Sequence, residues 1–520
     1  MASEYWARTR VCKEKLGYVA RNYSIEIMSS KSGLPEKMSS ETMSKNIEEQ
    51  KTLVVDLDGT LIRSDLLIES FLLLIKQNPL LIFTVVYWLI KGGKAFMKRE
   101  IARRVDLPVS LLPYNKELVT YLTLQKKIGR TIVLATASDR KFANDVAHHL
   151  DLFDNVYASE NGVNLSGSRK REVLSRDFGV NGYVYAGNAA VDLKVWNESA
   201  AAIVVGSESL VKKSQKLCEL EYHFDVSQGG LKVWLKALRV HQWVKNALIF
   251  IPLLAAHRLS DMDAVVSCLL AFISFSLCAS SVYLLNDLLD LPDDRRHKTK
   301  KNRPFAAGTL GLLQGLLAAP LLLLVAFLIT LFLPIEYFLV LLSYYILTFA
   351  YSFYLKRVVL VDVVTLASLY TVRIVAGAAA ISVALSFWLL AFSVFLFLSL
   401  AILKRYTELL SLKGRSSKKT LGRGYQVEDL ELLSSLGGSS GYISVLVLAL
   451  YINSAEILKL YSNPMVMWPI CLVMLYWVSR LWIFAHRGQM DDDPIVFALK
   501  DKVSVVCGAI VGAFMVAATF

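Results

Sequence analysis

From about residue 241 onward, apolar runs close to bilayer length recur and charge is confined to the gaps between them. A helix needs about 20 predominantly apolar residues to cross a membrane, and in lipid the backbone must satisfy its own hydrogen bonds. This pattern dictates an all-α, polytopic membrane half. We expect about nine spans: 243–258, 264–286, 310–333, 335–355, 361–380, 386–403, 441–458, 464–484 and 502–520. Up to about Gln228 the chain mixes charge and apolar residues as a soluble protein does. At 520 residues it is too long for one compact domain.

The formal charge of +13 is not a nucleic-acid signature, because Lys and Arg cluster between apolar runs and no aromatic-rich nucleic-acid motif accompanies them. Such clusters fit loops that face anionic lipid and phosphate ligands. The loops after spans two, four, six and eight carry most of the bases, among them Arg295, Arg296, Lys298, Lys356, Arg357, Lys404, Arg405 and Arg487; the other loops hold little beyond Arg258 and Lys459. By the positive-inside rule the soluble half is cytoplasmic, the C-terminus lies outside, and the protein sits in the plasma or inner cell membrane. The six scattered Cys lack metal-ligand spacing, as expected of reduced thiols. The first residues lack the order of a signal peptide.

Residues 1–50 are poor in apolar clusters and read as a disordered tail. Residues 51–225 alternate strand-like runs (53–60, 131–138, 182–187, 201–206) with helical segments, so we expect an α/β domain with a parallel sheet. The stretch of about 65–125 reads as a helical cap. Within it Leu80–Ile90 is very apolar, but Lys76, Asn78 and Pro79 argue against a spanning helix, and a cap helix pair that rests on the membrane is the expectation.

DLDGT at 56–60 ends the first strand. Asp56 can attack a phosphoryl group, Asp58 can serve as acid and base, and Gly59 allows the sharp turn. Further along, Thr136 can hold a phosphoryl oxygen, Lys170 can neutralise the attacked phosphate, and Asp192 can support a metal. The set resembles the haloacid dehalogenase superfamily of aspartate-nucleophile phosphatases. That resemblance implies an Mg2+ site built from Asp56, the carbonyl of Asp58 and the position of Asn188, where the family more often has Asp. An Asn oxygen can coordinate, but the lost charge should weaken magnesium binding. A domain that binds a phosphorylated ligand and regulates without turnover is the competing reading.

The second expected span ends in NDLLDLPDDRRHKTKKNRP (286–304). Asp287, Asp290 and Asp294, at i, i+3 and i+7, share a helix face if the helix continues; Pro292 bends it. Ionisable groups at such a place are usually functional, and carboxylates bind Mg2+, which binds phosphates. The pattern NDxxDxxxD resembles the UbiA superfamily of intramembrane prenyltransferases, over about 235–520. In that family a second acidic motif follows span six. Here the loop 404–425 holds Glu408 alone among many bases, which suits a lipid monophosphate gripped by Lys and Arg.

Segments 239–255, 286–308, 351–363, 373–380, 404–409 and 485–504 resemble one branch, the decaprenyl-phosphate phosphoribosyltransferases. The resemblance implies transfer of ribose 5-phosphate from phosphoribosyl pyrophosphate to a polyprenyl phosphate. Asp287, Asp290 and Asp294 would hold Mg2+, with Asn286 opening the motif and Lys298 and Arg303 on the pyrophosphate. Lys404 and Arg405 would hold the lipid phosphate. Lys245 and Asn246 would complete the pocket, and Lys356, Arg357 and Asp362 would line its wall. Asp493 is either a cap or a second metal ligand. The soluble half would then remove the 5-phosphate. A prenyltransferase acting on an aromatic acceptor is the alternative enzyme. Chain length of the lipid and the choice between monomer and homo-oligomer are not written in the sequence.

Overall fold

A computed structural model describes residues 51–160, 163–225, 229–412, 424–490 and 493–519. The expected tail, the bases of 413–423 and the pair Asp491-Asp492 lie outside the described residues.

The soluble half is built on strands β1 (Thr52–Val55), β2 (Ile132–Asp139), β3 (Asn155–Ser159), β4 (Tyr183–Gly187), β5 (Ala201–Val205) and β6 (Glu219–Phe224). They form one parallel sheet in the order β3-β2-β1-β4-β5-β6. Central β1 is apolar on both faces, as a strand covered on two sides must be. Leu53 and Val55 pack with Ile132 and Leu134 on one side, and Val54 with Val133 and Tyr185 on the other. The edge strands β3 and β6 escaped the sequence reading. They are short and carry polar residues toward solvent, as protected edges do.

Helices α1 (Leu66–Gln77), α2 (Leu81–Ala102), α3 (Lys116–Lys127), α4 (Arg140–Leu150), α5 (Ser168–Phe178), α6 (Leu193–Trp196) and α7 (Glu208–Ser214) complete the domain. The expected cap resolves into two parts. The pair α1 and α2 forms the cap, whereas α3 buries Leu118 and Leu122 in the core beneath the sheet.

The membrane half runs through α8 (Leu231–Ala237), α9 (Ile251–Ala255), α10 (Met262–Leu289), α11 (Leu291–Arg296), α12 (Leu312–Ile329), α13 (Ile335–Phe353), α14 (Val361–Ala380), α15 (Phe387–Leu410), α16 (Leu430–Ile452), α17 (Ala455–Leu460), α18 (Trp468–His486), α19 (Pro494–Lys500) and α20 (Lys502–Thr519). Among the described residues eight helices are long and apolar enough to cross a membrane. The expected first span is not one of them. Residues Val240–Phe250 form a 3-10 segment that leads into α9. The segment lies antiparallel along α10: Trp243 bonds Ser280 at 3.0 Å, Asn246 bonds Ser276 at 2.9 Å, and Leu253 packs with Ala264 and Cys268. The expected first span is therefore an irregular segment, a 3-10 stretch and the short α9, rather than one regular helix.

The seventh expected span also begins earlier than the residues implied. SLGGSSGY (435–442) lies mostly ahead of the expected start at 441, yet it is helical inside α16. Small residues let helices approach closely in membranes. Here a β-carbon at Gly437 would collide with Trp482, and one at Gly441 would lie 2.5 Å from Val478.

The two halves meet through α1. Its Phe71 and Leu72 pack with Leu284, Leu288, Phe305 and Leu312. Glu69 pairs with Arg295 at 2.6 Å, both almost fully buried.

Candidate active sites

β1 is where the sheet order turns back, with β2 on one side and β4 on the other, and such a point leaves a crevice at the strands' carboxyl ends. Asp56 sits there. Its Oδ1 accepts from Lys170 Nζ at 2.7 Å, and its Oδ2 lies 3.5 Å from Thr60 Oγ1. Lys170 is buried and also donates to the Tyr185 hydroxyl at 2.9 Å. Asp58 accepts from the Leu66 backbone N–H at 2.8 Å, from Ser138 at 2.6 Å and from Thr136 at 3.4 Å. Burial, with the charges of Asp65 and Asp56, pushes the Asp58 carboxyl up to about 7 despite those donors. A carboxyl poised there can give and take a proton near neutral pH.

Asn188 Oδ1 accepts from Thr60 at 3.1 Å, so Thr60 bridges the Asn188 and Asp56 oxygens. Both are hard oxygen donors, and the pair suits Mg2+ with one charge fewer than two carboxylates would give. Asp192 stands behind them. Its Oδ2 accepts from the Asn188 and Ala189 backbone N–H groups at 3.0 and 2.9 Å, and its Oδ1 from Tyr185 at 3.0 Å. Burial and the Asp56 charge raise it to about 6. In this arrangement Asp192 shapes the loop that presents Asn188.

At the acidic motif the three carboxylates do not meet as one cage. Pro292 ends the helical run: α10 stops at Leu289, Asp290 leaves helical geometry, and α11 starts afresh. Asp287 and Asp294 converge on Arg303, whose one guanidinium nitrogen lies 3.1 and 2.7 Å from them, and Arg239 also pairs with Asp287. Asp290 turns to Lys76 of the soluble half at 2.9 Å and to Lys356 at 3.5 Å. Exposed Asp293 takes Lys76 at 2.8 Å. Among the described residues no three His, Cys, Asp or Glu side chains gather to hold a metal. Asp287 and Asp294 alone supply the one or two carboxylates that Mg2+ ordinarily takes beside a phosphate. Asn286 is half-buried beside them, and Lys298 and Arg357 are exposed.

A second polar cluster lies deeper. Lys245 pairs with Asp493 at 2.5 Å, and Lys404 lies 3.7 Å from the same carboxylate. Burial works to raise Asp493, but Lys245 and Lys404 hold it down at about 2. Asp493 also caps α19, accepting from Ile495 N–H at 3.1 Å. Asn246 accepts from buried Arg373 at 2.8 Å. Arg405, expected on the lipid phosphate, is placed otherwise. It is 1% exposed, with Asp362 and Glu408 each at 2.5 Å and Tyr351 at 3.2 Å. Asp362, expected on the pocket wall, is fully buried in this clamp and takes the Tyr425 hydroxyl as well. A base flanked by acids reads like a ligand site in sequence; here the acids consume it.

Several site residues were missed. Ser138 follows Thr136 by two positions, the spacing that points both at one side of β2. Arg373 is a charge inside an apolar span, which alone marks it. Arg239 opens a segment already singled out. Lys76 and Lys98 gave no sequence clue, because their partners are distant in the chain: Lys98 Nζ donates to the Ala137 carbonyl at 2.8 Å and to Asn164 at 3.0 Å, beside Asp58.

The model of the UbiA prenyltransferase family matches residues 247–500. An uncharacterized protein, y4nM, of Sinorhizobium fredii is 36% identical over 90% of both chains, so the two halves occur together there. The decaprenyl-phosphate phosphoribosyltransferase of Mycolicibacterium smegmatis is 31% identical over 52% of this chain and 86% of its own. Among solved structures, digeranylgeranylglyceryl phosphate synthase aligns at TM-score 0.42 and 15% identity, covering 56% of this chain and 98% of that one. A phospho-aspartyl intermediate analogue of phosphoserine phosphatase aligns at TM-score 0.24 and 14% identity, covering 34% and 93%. The soluble half is haloacid-dehalogenase-like by its own sheet order and by the aspartates at the end of β1. The chain as a whole, a polytopic membrane transferase fused to that phosphatase-like domain, belongs to the UbiA prenyltransferase family.

Proposed function

We propose that the membrane half transfers ribose 5-phosphate from phosphoribosyl pyrophosphate to a polyprenyl phosphate, and that the soluble half then removes the 5-phosphate. The observation that carries this reading is the distribution of charge. One carboxylate pair, Asp287 and Asp294, is set among arginines, while the sole acid of the 404–425 loop, Glu408, is taken by Arg405. One diphosphate-binding pole and one cationic pole, Lys245 with Lys404, fit a diphosphate donor and a monophosphate acceptor.

In the first step an oxygen of the lipid phosphate attacks the anomeric carbon as its bond to pyrophosphate breaks. The acceptor is already anionic, so no base is needed. Arg239 and Arg303 face the charge that grows on the leaving group. Magnesium bound by Asp287 and Asp294 would add Lewis-acid neutralisation there. In the second step Asp56 attacks the 5-phosphate, and Asp58 protonates the departing ribose oxygen; water then releases phosphate with Asp58 as base. Lys170 holds the attacked group. Both sites face the cytoplasm in this reading, with the C-terminus outside.

The test is purified protein in nanodiscs with labelled phosphoribosyl pyrophosphate and polyprenyl phosphate. Label should enter the lipid, and Asp56→Asn should stall the product as its 5-phosphate. Consumption of a prenyl diphosphate with no label transferred would overturn the reading. A soluble half that binds a phosphorylated ligand without turnover is the second reading, favoured by Asn188; magnesium-dependent phosphate release excludes it.

A further inference from the structure

The turn Asn78–Pro79–Leu80 folds α1 and α2 into a hairpin. Its inner seam is closed by Leu74, Val85 and Trp88, with Leu67, Phe71 and Leu81 alongside. α2 is two arms rather than one rod, because Gly93 adopts φ 69° and ψ −171° and breaks the helix. A left-handed φ of this kind suits glycine.

The outer face of the first arm is apolar and bare. Leu80 is 70% exposed, Phe83 73% and Ile90 80%, with Val86 and Tyr87 about half exposed between them. Residues 80–92 contain no acid. A water-facing surface rarely tolerates so much contiguous apolar area. Beyond the patch charge changes abruptly: Lys91, Lys94, Lys98, Arg99, Arg103 and Arg104 follow, against the single acid Glu100, which Arg103 and Arg104 already pair.

The position of the hairpin says what covers this face. The other side of α1 is fastened to the end of a membrane-crossing helix: Phe71 and Leu72 pack with Leu312, Leu316 and Ala319 of the first two turns of α12. The same α12, a helix long and apolar enough to cross a membrane, exposes Leu313, Leu317, Leu321 and Leu324, a stripe suited to lipid. The hairpin that carries the bare face is thus fastened to the end of a helix apolar enough to cross a membrane.

We propose that this hairpin is a membrane arm. The face of Leu80, Phe83, Val86, Tyr87 and Ile90 lies in the bilayer, and Lys91 and Lys94 rest on anionic phospholipid headgroups. The arm is also the cap of the phosphatase-like site, since Leu66 of α1 bonds Asp58 and Lys98 of α2 bonds the Ala137 carbonyl beside it. The site is thereby held against the membrane surface, where a phosphate ester on a lipid reaches it without leaving the bilayer. This deepens the proposed function and, for its substrate, rests on that reading.

The location is tested on the full chain, with its native cysteines replaced, in nanodiscs of phosphatidylcholine and phosphatidylglycerol. A fluorophore on Phe83→Cys or Ile90→Cys should be quenched by doxyl-labelled lipid and shielded from iodide, as one on Leu317→Cys is. One on Val180→Cys, on the soluble surface, should behave oppositely. Iodide quenching at 83 and 90 like that at 180 overturns the proposal, and so does a Phe83→Cys crosslink between two copies in nanodiscs. A second measurement reads the consequence. Phe83→Glu/Ile90→Glu should slow phosphate release from a lipid-linked ester about tenfold, by loss of effective concentration, and leave p-nitrophenyl phosphate hydrolysis unchanged. Equal loss on both substrates overturns the role assigned to the arm. If the unaltered protein hydrolyses neither ester, the phosphatase reading fails, and the quenching still decides the arm.

Discussion

Lys76 of the soluble half places its ammonium 2.9 Å from Asp290 of the membrane half. The helix that carries it begins at the other candidate site, where Leu66 donates to Asp58 at 2.8 Å. One short helix thus touches both candidate sites. Were Asp290 to join Asp287 and Asp294 on a divalent cation, it would first have to leave Lys76. Under the proposed Mg2+-assisted transfer, Lys76→Met should therefore lower the Mg2+ concentration needed by a few-fold, since a partly exposed pair is worth about 1 kcal/mol. Manganese binding followed by electron paramagnetic resonance checks the direction; weaker binding would assign Lys76 to the diphosphate instead.

The Glu69–Arg295 pair is the buried bolt between the halves. Removing one partner of such a pair strands a charge, at a cost of about 3–5 kcal/mol. Glu69→Ala should lower the unfolding temperature of the full chain and speed its proteolytic separation into halves. Glu69→Gln, which keeps an acceptor, should do so less.

In the proposed phosphatase chemistry Asp58 sets the pH behaviour of the soluble half. Its folded value of about 7 lies above the ordinary carboxylate value of 3.8. The folded state thus holds this proton more tightly than the unfolded chain, and stability falls as pH rises between those values. Phosphate release, which needs protonated Asp58 in its first step, should fall above about pH 7. Ser138 donates to the ionised form, so Ser138→Ala should move that alkaline limb to higher pH. A limb that moves down in the pH–rate profile would contradict the assignment.

Asn188 is the one uncharged member of the proposed metal set. Asn188→Asp keeps the acceptor that Thr60 uses and restores a charge. It should tighten Mg2+ binding by about tenfold, by the contribution of ligand charge to affinity, read as the metal dependence of phosphate release.

Neighbours Lys404 and Arg405 should fail differently. Lys404 is half-buried beside Asp493, and Lys404→Ala should raise KM for the lipid phosphate with stability little changed. Arg405→Leu leaves Asp362 buried without its partner and should destabilise the membrane half by about 3–5 kcal/mol. Thermal unfolding in detergent separates the two outcomes.

What was legible in the chain was local. Period and length disclosed the spans, and DLDGT at a strand end disclosed the candidate aspartates, because both are written in adjacent residues. The bend at Pro292 was visible too, but not its effect, which depends on Arg239 and Lys76 arriving from elsewhere. Arg405 was misread for the same reason: Asp362 is 43 positions away, and only folding brings it near. The small-residue run at the head of α16 fell outside the expected span because it is weakly apolar; packing against Ser399 and Trp482 holds it in the helix.

The irregular segment before α10 leaves its mark on a position with no chemistry of its own. Where Ile249 passes α14, its carbonyl fills the room that any side chain at Gly377 would need. Two backbones touch there without a cushion, and a single methyl group would wedge them apart. Evolution can exchange many of the lipid-facing leucines freely; at 377 it is left with hydrogen.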